Sequence, residues 1–228
     1  MTLLPWPGGL GATENGLLLL SVIAAILYAV MLPQPVSWRR TAAKTLSTAL
    51  LALIAYHAGG PWLLVAGLAL SALGDFFLAH HDDRSFMAGL GAFLAAHLIF
   101  TALFALHDPA SQSALPIVLL PRWAAFALIG AVGLWALFLA RRLMPALAAP
   151  MRVPVAVYVM AIVAMAAAAF LFQPPGVIAG ALLFVASDSV LAVERFIMAE
   201  NDPRQRSAHL FVWSSYFAAQ AAFLVALT

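Results

Sequence analysis

The chain has no cysteine, which excludes disulfides, thiolate nucleophiles and cysteine-ligated zinc. It is also poor in charge. Only 9% of its 228 residues are charged, against about 25% in an ordinary soluble domain. No polar stretch is long enough to build a soluble domain. No long stretch shows the dyad alternation of a β-barrel strand. The opening MTLLPWPGGLGATENG lacks the positive region of a signal peptide. The first apolar segment is therefore expected to remain as a helix.

What the chain has is apolar length. It is 65% hydrophobic, with a mean hydropathy of +1.02. Several runs approach the ~20 residues that cross a ~30 Å hydrocarbon core. These features predict an all-α, polytopic membrane helix bundle in one integral membrane domain, 1–228. Eight transmembrane helices are expected at 16–32, 43–58, 61–79, 86–106, 123–140, 153–172, 177–196 and 209–227. Breakers separate them: Pro33 and Pro35, Gly59-Gly60-Pro61, His107-Asp108-Pro109, Pro145 and Pro150, Pro174-Pro175-Gly176, and Asp202-Pro203. The second helix is short and starts near Lys44, so it is expected to be tilted or partly interfacial. Segment 114–121, ALPIVLLP, is too short to span and is read as loop or interfacial.

The basic residues orient these spans. Odd-numbered loops hold Arg39, Arg40, Lys44, Arg84, Arg141, Arg142, Arg152, Arg195, Arg204 and Arg206. Even-numbered loops hold Arg122 alone. By the positive-inside rule, odd loops face the cytoplasm and both termini lie outside. A pI near 9.4 raises nucleic acid as a partner. Arginines confined to short loops serve topology instead, so the bilayer is the expected partner and nucleic acid is not.

The sequence also echoes itself. GLALSALGDFFLA, 67–79, resembles GALLFVASDSVLA, 180–192, at an offset of 113. Gly67 matches Gly180, Leu70 matches Leu183 and Asp75 matches Asp188. Chance explains matches among leucines and alanines. It explains matched aspartates less well, because intramembrane aspartates are rare. A four-plus-four parallel repeat is expected, with halves 16–106 and 123–227.

An aspartate at a helix centre costs roughly 2.5–3.5 kcal/mol on insertion scales. Asp75 lies about one turn from the inner end of its helix and Asp188 about two. Each needs a partner, a proton or a water-filled cavity. A structural hydrogen bond accounts for one such residue. Two at matching places favour function. Ser187 and Ser189 flank Asp188, and Ser71 sits one turn from Asp75 on the same face. Arg195, two turns past Asp188, reads as a snorkelling anchor.

Other polar residues sit at similar depth. His209, Trp213, Tyr216 and Gln220 form one helical stripe. The first two suit an interfacial belt, and Tyr216 and Gln220 suit the bundle interior. His97, with Thr101 one turn on, is more often a packing residue than a ligand. Tyr158 suits either a belt or a cavity. Lys44 reads as a topology determinant or as a phosphate partner for a lipid head group. His80-His81-Asp82-Asp83 has metal-ligating residue types, but neighbours on a tight loop rarely converge on one ion.

Two blocks carry a resemblance. SALGDFFLA…FMAGLGAFLAAHLIF and GALLFVASDSVLAVERF resemble the signature blocks of the YhhN family. These are bacterial membrane proteins related to the eukaryotic lysoplasmalogenases, the TMEM86 proteins. VYVMAIVAM and SSYFAAQ resemble two further family stretches. The resemblance carries over Asp75, Asp188 and Ser189, followed by His97, Tyr158, Tyr216 and Gln220. Two departures stand out. Lys44-Thr45 replaces the frequent Lys-Pro, and Phe100 replaces the Tyr of His-x-x-Tyr, removing a hydroxyl beside His97.

The resemblance implies hydrolysis of the vinyl ether bond of lysoplasmalogens. The products would be a fatty aldehyde and glycerophosphocholine or glycerophosphoethanolamine. It implies a lysophospholipid substrate and a bacterial inner-membrane location; no cofactor and no metal are expected from the residues. Asp75 and Asp188 would be catalytic. Lys44, His97, Tyr158, Ser189, Tyr216 and Gln220 would bind substrate. Vinyl ether cleavage protonates the β-carbon and passes through an oxocarbenium ion, as glycoside hydrolysis does. Asp188 is the expected acid and Asp75 the base and cation stabiliser, or the roles are exchanged. The alternatives are a metal-dependent lipid hydrolase using Asp75, Asp188, His97 or His209, a small-solute or lipid transporter, and a non-catalytic scaffold.

Overall fold

The computed structural model describes residues 4–80, 82–106, 121–172, 174–199 and 201–228. Among these residues helices are the only regular secondary structure, with no strand. Eight α-helices follow one another: α1 Thr13–Met31, α2 Trp38–His57, α3 Trp62–Leu78, α4 Asp83–Leu106, α5 Arg122–Leu143, α6 Ala149–Phe172, α7 Pro175–Phe196 and α8 Gln205–Leu227. Six of them, all but α2 and α3, are long and apolar enough to cross a membrane. The protein is an integral membrane helix bundle. Segment 114–121 falls largely outside the described residues.

The helices begin where hydrogen bonding permits, not where hydropathy rises. α2 starts at Trp38, five residues before its expected span. Ser37 caps it, its Oγ accepting from the Arg40 amide at 3.4 Å. Lys44 thus sits in the second turn of a 20-residue helix, so α2 is not the short segment expected. α6 starts at Ala149 and takes Pro150 into its first turn. A proline there loses no intrahelical bond, so it does not mark the break expected of it. At the far end of α2, Gly59 adopts φ +70°. This left-handed turn lets the Gly60 amide donate to the Ala55 carbonyl at 2.9 Å before Pro61 opens α3.

The chain divides into two compact units. The first comprises Met1–Phe100 with Gln220–Thr228. Within it, α2 packs against both α1 and α3. α3 meets α4 through missing side chains. A Cβ on Gly67 would lie 2.5 Å from the Phe100 ring, and one on Gly74 would lie 2.6 Å from Phe93. A Cβ on Gly89 of α4 would lie 2.7 Å from Leu78. Small residues facing large ones let membrane helices approach closely. Phe100 also packs on Phe223, with ring centroids 5.1 Å apart.

The second unit is Thr101–Ala219. Here α6 packs against both α5 and α7. The Phe104 and Phe172 rings stack 6.0 Å apart. Ser187 of α7 donates to the Val212 carbonyl of α8 at 2.9 Å. Ahead of α8, Arg204 forks onto Asp202 with bonds of 3.0 and 2.8 Å. These bonds hold the Asp202 carboxyl down at about 2.

Substituting Gly67 with Ala should overpack the contact of α3 with α4. Overpacking a core costs about 1–3 kcal/mol. A lower melting temperature in detergent is expected for Gly67→Ala, with partial recovery in Gly67→Ala/Phe100→Leu. Equal melting of wild type and Gly67→Ala would mean that this contact is loose.

Candidate active site

Asp75 lies on the buried face of α3, with Gly67, Leu68, Ser71 and Ala72. Its side chain is only 2% exposed. Two residues of α2 meet it there. Thr48 Oγ1 donates to Asp75 Oδ2 at 2.8 Å. Lys44 Nζ lies 3.6 Å from Asp75 Oδ1, an ion pair at longer than hydrogen-bond range, and the lysine side chain is 12% exposed. Lys44 therefore serves neither topology alone nor a head group alone: it supplies the counter-charge for Asp75.

The reason lies in the pattern of α2. Arg40, Thr41, Ser47 and Thr48 are buried, whereas Trp38, Leu46, Leu53 and Tyr56 are exposed. The polar stripe of the first half of this helix faces inward, continued by the fully buried Leu51 and Ile54, while Trp38, Leu46, Leu53 and Tyr56 face outward. That arrangement fits a helix surrounded by lipid with polar work inside. Further bonds support the stripe. Ser21 of α1 donates to the Ser47 carbonyl at 2.6 Å, and Ser47 donates to the Lys44 carbonyl at 2.7 Å. Tyr28 of α1 lies under both cations, its ring centroid 5.7 Å from Arg40 Cζ and 5.7 Å from Lys44 Nζ.

His97 belongs to the same unit and is fully buried in α4. Its Nδ1 bonds the Phe93 carbonyl at 2.7 Å. With Nδ1–H as donor, this bond orients the ring without the hydroxyl that Phe100 lacks. Gln220 is also fully buried, and both its amide atoms lack a hydrogen-bond partner among the described residues.

Asp188 lies in the second unit. Tyr158 of α6 donates to Asp188 Oδ2 at 2.5 Å. Tyr158 therefore serves the aspartate and not an interfacial belt. Next to it, Ser189 Oγ donates to the Val185 carbonyl at 2.7 Å and accepts from Trp135 Nε1 at 2.9 Å. Ser189 and Trp135 are the polar members of an otherwise apolar groove of about 450 Å³ along α5, α7 and α8. Asp188 is half-buried, so of the two aspartates it is Asp75 that protein encloses more fully.

On α8, Tyr216 and Trp213 are both buried, their rings 5.9 Å apart, and Tyr216 also meets Phe184 at 5.6 Å. Trp213 is thus interior and not part of a belt. His209 pairs with Glu194 of α7. Arg195 is exposed, as an anchor would be. Asp82 caps α4, its Oδ1 accepting from the Ser85 amide at 2.9 Å. Hydrogen bonds from Ser85 lower its pKa below the usual carboxylate range. His81 lies outside the described residues. Among those described, no three His, Asp or Glu side chains gather into a metal-binding group.

Thr48, Trp135 and Tyr28 were not singled out in the sequence. Thr48 had a signal, being one turn beyond Lys44. The other two look like ordinary span residues.

Breaking a buried pair by removing one partner costs about 3–5 kcal/mol, because the other charge stays behind. Lys44→Met should lower the melting temperature sharply. Lys44→Met/Asp75→Asn should recover much of the loss. A double variant that melts no higher than Lys44→Met would show that the pair carries no coupling.

The comparisons with known proteins place this chain in a family. The model of the YhhN family matches residues 39–227. The chain is similar to proteins named lysoplasmalogenase from Mycobacterium bovis and Mycobacterium tuberculosis. It is 35% identical to each over 161 residues, which is 69% of this chain and 57% of theirs. It is also 29% identical to the Bos taurus lysoplasmalogenase TMEM86A over 171 residues, which is 72% of this chain and 64% of that one. The chain thus spans about three fifths of the length of the curated relatives it matches. No solved structure matches it.

Proposed function

Because the chain belongs to the YhhN family, we propose that it is a lysoplasmalogenase-like hydrolase, cleaving the vinyl ether bond of lysoplasmalogens. The observation that carries this reading is the contrast between its two aspartates. Asp75 faces an ammonium and a hydroxyl, and Asp188 faces a phenol. Vinyl ether hydrolysis needs two such groups: an acid that protonates the β-carbon, and a carboxylate that steadies the oxocarbenium ion and takes a proton from water.

In this reading Asp188 is the acid. Tyr158 holds its Oδ2 and fixes the plane of the carboxyl. Asp75 is the anion, with Lys44 as its counter-charge. Protonation at the β-carbon leaves the cation at the ether carbon, and water adds there. The hemiacetal then collapses to fatty aldehyde and glycerophospho-alcohol. Ser189 and the apolar groove beside it suit the substrate's single hydrocarbon chain. His97, Tyr216 and Gln220, each buried, are substrate-binding groups in this reading.

The reading includes the membrane arrangement. Eight spans carry both termini outside, in a bacterial inner membrane, with the chemistry toward the cytoplasmic half. It also includes a four-plus-four repeat. In support, Asp75 and Asp188 stand equally far from the starts of α3 and α7. Each is bonded by the preceding helix, α2 or α6, which packs between its neighbours in both units.

Purified protein incubated with lysoplasmalogen should release fatty aldehyde. Asp75→Asn and Asp188→Asn, still folded, should each lose a factor of about 10²–10⁴, the usual contribution of acid–base catalysis. Aldehyde release unchanged in both would refute the assignment of these residues. The arrangement in the membrane has its own test, made clean by the absence of native cysteine. Cysteines at Arg39 and Trp62, both exposed positions, should be labelled from opposite sides of intact vesicles. Labelling from one side would remove α2 as a span.

A further inference from the structure

We propose that Arg40 is the ligand for a phosphate group, the phosphodiester of a lysophospholipid head group or a free phosphate. The lipid case rests on the function proposed above.

The argument begins with charge. Arg40, Lys44 and Asp75 form one cluster on α2 and α3, joined by Tyr28. Arg40 is 9% exposed. Lys44 and Asp75 pair with each other. The Tyr28 ring thus meets two cations, of which Lys44 has a carboxylate and Arg40 carries the surplus positive charge. Its Nη1 donates to the Gln34 carbonyl at 2.8 Å, and its Cζ lies 5.7 Å from the Tyr28 ring centre. Among the described residues it meets no carboxylate. Withdrawing a cation from water without a counter-ion is unfavourable. An anion brought by a ligand would offset that cost.

The chemistry selects the anion. A guanidinium presents five N–H donors in a planar fork, and the Gln34 bond uses one side of it. The fork matches phosphate bidentately, which a lysine cannot do. The Tyr28 ring holds the guanidinium in place, so little freedom remains to be lost on binding. Arg40 is in the first turn of α2, whose N-terminal dipole adds to the attraction for an anion.

The spacing suits a lysolipid. Arg40, Lys44 and Thr48 stand on successive turns of α2, each about 6 Å further along the axis. Only a glycerol separates the phosphate from the vinyl ether. A phosphate at Arg40 would leave the vinyl ether one to two turns along, at the level of Lys44, Thr48 and the Asp75 they bond. Lys44, once read as the head-group partner, is already committed to Asp75. Arg39, its exposed neighbour, offers a control.

The experiment measures binding of a saturated 1-O-alkyl lysophosphatidylethanolamine, which has no vinyl ether to cleave, by titration calorimetry in detergent. Arg40→Gln should weaken it about 10- to 100-fold, the range for a hydrogen bond to a charged group. Arg40→Lys should fall between, and it carries the test if Arg40→Gln does not fold. Arg39→Gln should bind as wild type does. The phosphate-free 1-O-alkylglycerol should bind wild type and Arg40→Gln alike. Equal loss with that probe, or no loss with the phospholipid, would overturn the proposal. Inorganic phosphate that binds in an Arg40-dependent way, with lysolipid binding unaffected, would overturn the lipid source and keep the phosphate site. Aldehyde release tests the enzyme reading separately. Arg40→Gln that cleaves lysoplasmalogen with unchanged KM would remove the role of Arg40 and leave the hydrolase. Arg40-dependent phosphate binding without aldehyde from wild type would do the reverse.

Discussion

A carboxylate surrounded by lipid-facing helices must find its counter-charge inside the protein. That need organises the first unit. Asp75 is met by Lys44 and Thr48, and both come from α2. To present them, α2 must turn its polar face inward, and its outer face becomes Leu46, Leu53 and Tyr56. The same stripe gives α2 too little apolar character to count as a span by composition. In ordinary soluble helices the polar face meets water. Here it meets Asp75. The ion pair need not stabilise the fold on balance, since desolvation of two charges offsets much of their attraction. Its value is placement: it holds an anion at one point in an apolar medium.

The second unit meets a similar need with a weaker partner. Tyr158 binds Asp188 from α6, as Lys44 and Thr48 bind Asp75 from α2. The geometry is parallel, but the chemistry is not. An ammonium favours the anion of the acid it faces. A phenol hydrogen-bonds a carboxylate and also tolerates a protonated acid. Two carboxyls in like positions with unlike partners are the arrangement in which one can hold a proton while the other stays ionised.

Much of this was legible in the sequence. Hydropathy and the breakers between runs located all eight helices, six of which are long and apolar enough to span, and the aspartates stood out because lipid penalises them. The helix ends were less legible. Ser37 extends α2 back to Trp38, and Pro150 fits within α6, because capping and first-turn rules act on hydrogen bonds that hydropathy does not register. The partners of the aspartates were hidden for another reason. Lys44 and Asp75 are 31 residues apart on different helices, and no periodicity links positions across a turn. Lys44 near a helix start looked like a topology marker, which is the commoner use of a lysine there. Trp135 looked like span composition until its Nε1 was seen to reach Ser189.

The glycines of α3 connect packing to chemistry. Gly67 and Gly74 admit the rings of Phe100 and Phe93, which press α4 against one side of the helix. Asp75 and Ser71 lie on the buried surface of the same helix, where α2 also packs against it. α3 is therefore gripped by two helices. Its rotation matters because adjacent residues on a helix point about 100° apart. A shift of one residue would replace Asp75 with Gly74 or Phe76 opposite Lys44 and leave the carboxyl elsewhere in an apolar bundle. Leucine-rich helices slide and rotate easily against one another, since one leucine packs much like the next. Aromatic rings seated in glycine gaps do not. The interlocking of α3 with α4 thus fixes the angle at which α3 offers its one charged residue to α2. A fold built mostly from interchangeable apolar side chains can hold a carboxylate within 3.6 Å of its lysine only with such a register.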